Sequence, residues 1–94
     1  MTLKEEIFGV ASFRSRQQVL QMEAALRREG VPVSVVTTPR EVALGCGLSV
    51  RFELADAADV RDVYLRTRPG NLIGFYQVDR SASGRTEVKP LGRE

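Results

Sequence analysis

Two stretches of helical periodicity, each set between strand-like runs, leave a 94-residue chain few ways to fold. Glu5 to Phe13 is mainly apolar and reads as a buried strand that opens the domain. Ser15-Arg16-Gln17-Gln18 has the form of a capping box, with Ser15 bonding the backbone three residues on and Gln18 reaching back. Val19, Met22 and Leu26 follow at helical spacing beside Ala25, while Arg16, Gln17, Gln21 and Arg28 face outward. Gly30 supplies the left-handed stop. Val31 to Val36 is rich in β-branched residues and predicts a second strand, which Pro39 ends.

The second half repeats the pattern. Leu48, Val50, Phe52 and Leu54 alternate with Ser49, Arg51 and Glu53, the period of a half-buried strand. Ala55 to Arg68 reads as a helix with Asp56 as its cap and Val60, Val63, Tyr64 and Thr67 on one side. Arg66 and Arg68 complement its negative end, and Pro69-Gly70 closes it. Asn71 to Val78 predicts a last strand, and Arg80-Ser81-Ala82-Ser83-Gly84-Arg85 a turn or linker before a loose end. The order strand, helix, strand, strand, helix, strand predicts two split βαβ units. The expected fold is α+β and ferredoxin-like: a four-stranded antiparallel sheet with both helices on one face. Residues 1–80 form one domain in this reading, and residues 81–94 a basic, flexible tail. The helix-free face would keep some apolar surface, from Leu72, Ile73, Phe75 or Tyr76, which a homodimer would cover.

Composition narrows the function classes. The chain holds no histidine, which excludes a histidine-activated nucleophile or a histidine-ligated metal within one chain. No Walker-type loop or dinucleotide fingerprint occurs, and Glu41 and Glu53 are not spaced as an acid–base pair. No cofactor is implied. Fourteen basic residues against 12 acidic ones give a net charge of +2. The late excess at Arg66, Arg68, Arg80, Arg85, Lys89 and Arg93 comes without the aromatic residues that stack on nucleic acid, so the expectation is a solvated tail with no nucleic-acid partner. Met1-Thr2-Leu3-Lys4-Glu5-Glu6 lacks the layout of a secretion signal. No apolar run nears the roughly 20 residues that span a bilayer. A cytoplasmic protein without a membrane partner is expected.

Cys46 is the single cysteine, so no internal disulfide forms, which suits a reducing compartment. It stands in Pro39-Arg40-Glu41-Val42-Ala43-Leu44-Gly45-Cys46-Gly47-Leu48, a connection longer than the usual hairpin loop. Gly45 and Gly47 place it on a turn, where successive N–H groups cradle an anion and Arg40 adds a positive charge. On that reading Cys46 is a reactive thiol, with Arg40, Gly45 and Gly47 binding and Pro39, Glu41, Ser49 and Arg51 in support. The plainer readings stay open. A lone cysteine is often an inert small hydrophobe, the glycines simply turn the chain, and Arg40 with Glu41 is a surface pair. Ser49 and Arg51 on a strand's polar side would merely face water.

Pro39-Arg40, a short stretch, and Cys46-Gly47 before an alternating strand resemble a small bacterial family, the selenium/sulfur carrier-like proteins, long a domain of unknown function. Phe13-x-Ser15 at the helix entry, Glu23, Leu26 and Gly30-Val31-Pro32-Val33 fit the same pattern. The resemblance implies a carrier whose thiol, Cys46, accepts sulfur or selenium from a donor protein and passes it to an acceptor. It points to a carrier or binding protein rather than to an enzyme. A non-catalytic module that binds a small anion near Arg40, or a structural adaptor using its exposed sheet face, are the alternatives.

Overall fold

A computed structural model describes residues 7–42, 46–81 and 84–91. The chain runs through β1 (Ile7–Phe13), α1 (Arg16–Arg28), β2 (Val33–Thr37), β3 (Leu48–Phe52), α2 (Ala57–Thr67), β4 (Leu72–Asp79) and β5 (Glu87–Pro90). A 3-10 turn at Leu54–Asp56 leads into α2. All strand pairings are antiparallel, in the order β2-β3-β1-β4-β5. The first four strands stand in the order that two split βαβ units produce.

The sheet has five strands rather than four. Glu87–Pro90, assigned by sequence to a loose tail, pairs with Tyr76 to Asp79 as an edge strand. Its charged, proline-ended sequence is what an edge tolerates, and it carries little hydrophobic signal.

Ala11, Phe13, Val50 and Phe52 on one sheet face share a core with Val19, Met22, Ala25 and Leu26 of α1 and Val60 and Val63 of α2. Both helices therefore cover that face. Tyr64 of α2 meets Phe75 edge-on, with ring centroids 5.8 Å apart. Glycine is required at Gly9, where a Cβ would be driven into the Phe52 ring.

Ser15 caps α1 as expected, but by accepting from the Gln17 amide, one residue short of the predicted partner. Gln18 does not complete the box; its Oε1 accepts from Asn71 Nδ2 at the start of β4. Gly30 takes the predicted positive φ, 81°. Asp56 stands at the start of α2, yet its side chain makes no capping bond.

The opposite face is not bare. Phe8, Val10 and Val78 lie on it and are buried, flanked by Val36, Tyr76 and Val88. Arg51 and Arg80 extend over Phe8, and Pro39 borders the same hollow. On this face Phe8, Val10 and Val78 are closed off within one chain. Leu72, Ile73, Phe75 and Tyr76 are half-buried. Among the described residues no helix is long and apolar enough to cross a membrane.

Candidate functional site

The connection between β2 and β3 is closed at its base, where the Thr38 amide donates to the Gly47 carbonyl at 2.8 Å. Gly47 adopts φ 91°, so the glycine after the cysteine is demanded by the backbone. A second turn closes from the Val42 amide to the Pro39 carbonyl at 2.9 Å. Its two feet, Pro39 and Val42, are buried, and its tip, Arg40 and Glu41, is exposed. The Pro-Arg pair thereby divides its labour: the proline anchors and the arginine projects. Arg40 makes no hydrogen bond or ion pair among the described residues, so the expected surface pair with Glu41 does not form. Gly45 lies outside the described residues.

Cys46 is exposed and its thiol is free. Its amide donates to the Phe13 carbonyl at 3.3 Å, which ties the loop to the end of β1, just before the Ser15 cap of α1. Sγ lies 3.8 Å from the Leu48 carbonyl, a weak contact that leaves the sulfur accessible. Cys46 therefore stands where β1 gives way to α1, a helix with no acidic residue in its first turn. Sequence could not show this neighbourhood, because it depends on β1 pairing with β3.

The supporting residues separate into two groups. Ser49 does not face water; it is fully buried at the centre of a hydroxyl row. Its Oγ lies 2.7 Å from Ser12 Oγ and 2.8 Å from Thr38 Oγ1. The correction has a simple cause: Ser49 pairs with Ser12 on the central strand, where both are buried, and buried hydroxyls must find partners. Arg51 joins the other group. Its guanidinium carbon sits 3.8 Å from the Phe8 centroid, and that of Arg80 sits 5.4 Å from the same ring. Pro39 lines this hollow with them. Sequence reading missed Ser12 and Phe8 on β1, Thr38 just after β2 and Arg80 just after β4, each brought in by pairing between strands distant along the chain.

No cluster of three metal-ligating side chains occurs among the described residues. A larger hollow of about 460 Å³, mostly apolar, lies between α2 and the β4–β5 end and includes none of the predicted site residues.

The loop, its anchored proline, its projecting arginine and its accessible thiol all fall within the part of the chain that compares with known proteins. No curated protein and no solved structure matched the chain. A family model described as "Putative Se/S carrier protein-like" matches residues 8–69, and the chain belongs to that family.

Proposed function

We propose that Cys46 is the carrier thiol of a sulfur- or selenium-transfer protein. The observation that carries this reading is the accessibility of the sulfur: Cys46 is exposed, and its one described side-chain contact is the weak one to the Leu48 carbonyl. Family membership supports the same chemistry.

In the loading step the Cys46 thiolate attacks the outer sulfur of a donor persulfide. The donor's S–S bond breaks, the donor leaves as a thiolate, and Cys46 holds the outer sulfur as a persulfide. The donor sulfur is reduced and the Cys46 sulfur oxidised to the same extent, so no outside oxidant enters. Release is the reverse, with an acceptor thiolate attacking the outer atom and Cys46 leaving. Selenium in the outer position follows the same electron count. The terminal atom is anionic, and two features favour it: the N-terminal end of α1 beyond Phe13, and the exposed Arg40 at the turn tip. Gly47, and Gly45 beside it in sequence, leave room for a partner's backbone to approach. Pro39 holds the turn that presents Arg40.

The β2-β3-β1-β4 order supports a ferredoxin-like domain with β5 added at one edge. We place the protein in the cytoplasm, where a lone thiol stays reduced. The donor and acceptor are proteins, and a homodimer is not needed for either step.

The test is mass spectrometry of the whole protein after incubation with a persulfide-bearing cysteine desulfurase or a selenium donor. The reading requires a gain of one chalcogen atom, removed by a reducing thiol and absent from Cys46→Ser. No adduct, or equal labelling of the serine variant, overturns it.

A further inference from the structure

Two backbone bonds and two side-chain contacts close a ring around the peptide that carries the thiol. The Cys46 amide donates to the Phe13 carbonyl at 3.3 Å, and the Gly47 carbonyl accepts from the Thr38 amide at 2.8 Å. Thr38 Oγ1 lies 2.8 Å from Ser49 Oγ, which lies 2.7 Å from Ser12 Oγ. Ser12 precedes Phe13 in the chain, so the ring is complete. Cys46 and Gly47 are thereby held from β1 on one side and from the end of β2 on the other.

The two sides are not equally firm by themselves. β1 lies inside the sheet, whereas β2 is at its margin and pairs with β3. That pairing ends at Thr37 and Leu48; beyond it the Thr38 amide and hydroxyl tie the chain down. The hydroxyl reaches Ser49, which is fully buried. Pro39 restricts Thr38 to extended backbone, which limits where its side chain can point. Burial alone does not call for hydroxyls here, because apolar groups of the same shape on both partners would serve the fold about as well. Hydroxyls add direction: a hydrogen bond is met in a narrow range of arrangements, while apolar contact is non-directional.

We infer that Thr38, held by Ser49, is a positioning residue for Cys46, fixing the loop base so that the sulfur meets a protein-borne persulfide in line. The inference rests on the carrier reading and adds to it a residue that touches no cargo. In loading, the Cys46 sulfur, the outer sulfur and the leaving sulfur of the donor must line up, and alignment of reacting atoms weighs heavily in rate. A small alkylating reagent approaches from many sides and needs the thiol only to be exposed, as Cys46 is. The two reactions therefore respond differently when the loop base loosens.

The experiment compares two rates in the full chain: gain of a chalcogen atom from a persulfide-bearing cysteine desulfurase, read by mass, and alkylation of Cys46 by iodoacetamide. Thr38→Val keeps the shape, removes the hydroxyl and leaves Ser49 its bond to Ser12, so the fold is spared. It should load roughly fivefold more slowly, the weight of one net hydrogen bond in a rate, while alkylating within about twofold of the wild type. Thr38→Ala should behave alike, and Thr38→Ser, which keeps the hydroxyl, should load at nearly the wild-type rate. A role confined to stability would move neither rate in folded protein, which circular dichroism checks. Loading by Thr38→Val at the wild-type rate, equal slowing in Thr38→Ser, or alkylation slowed as much as loading overturns the inference. A wild-type chain that takes up no chalcogen overturns the carrier reading and this inference with it. A wild type that loads beside a Thr38→Val that loads as fast overturns this inference alone.

Discussion

The hydroxyls of Ser12 and Ser49 lie 2.7 Å apart across the β1–β3 pair, both shut away from water. Thr38 extends the row to the residue at which the cysteine loop begins, through its own 2.8 Å contact with Ser49. Ser49 is the middle member, so its loss strands two partners at once. Ser49→Ala should destabilise the fold by about 1–3 kcal/mol, the cost of leaving buried polar groups unpaired. A urea midpoint equal to the wild type's would show the row contributes nothing. A cycle with Ser12→Ala should give a coupling of roughly 0.5–3 kcal/mol between the two.

Cys46 itself carries no such burden. Its side chain is exposed, so Cys46→Ser should change stability by no more than about 0.5 kcal/mol while abolishing the chalcogen adduct. Denaturation and mass spectrometry on one preparation separate a lost thiol from a lost fold.

Among the described glycines, Gly9 is the one where an added Cβ would come closest to a neighbouring atom. Adding one methyl there pushes into the buried Phe52 ring, whose surroundings are the helix-covered core. Gly9→Ala is expected to cost about 1–3 kcal/mol, as overpacked cores do. Thermal unfolding measures it directly, and an unchanged midpoint would mean the ring moves aside freely.

Asp79 gives a signature in acid. Its hydrogen bonds from the Ser81 hydroxyl and amide hold the carboxyl below its ordinary value of 3.8, with Lys89 adding a smaller electrostatic pull. A carboxyl depressed in the folded state stabilises it above the unfolded value, and that contribution disappears as pH falls through the folded one. NMR titration should show the Asp79 carboxyl midpoint rising toward 3.8 in Ser81→Ala. A midpoint that does not move would remove the hydroxyl as its main cause.

The elements legible in the sequence are those whose signals are local. Val19, Met22 and Leu26 mark α1 by spacing alone, and Leu48, Val50 and Phe52 mark β3 by alternation; all but the half-buried Leu48 are buried in the structure. The loop around Cys46 was visible because Pro39 and the glycines interrupt both periods. What escaped was non-local. Ser49 looks like a solvated strand residue until Ser12 and Thr38 arrive from other strands. Phe8 with Arg51 and Arg80 joins β1, β3 and the residue after β4, and is written nowhere in one segment. Glu87–Pro90 was missed because an edge strand supported on one side needs little apolar character.

The two ends of the cysteine loop hang from unequal supports. Thr38 belongs to the outermost strand side of the sheet, whereas the Cys46 amide is fastened to Phe13 on the central strand. Sheet margins fray before centres do. Fraying of β2 therefore loosens the Thr38 end of the loop before it reaches the Cys46 amide, which stays fastened to the central strand.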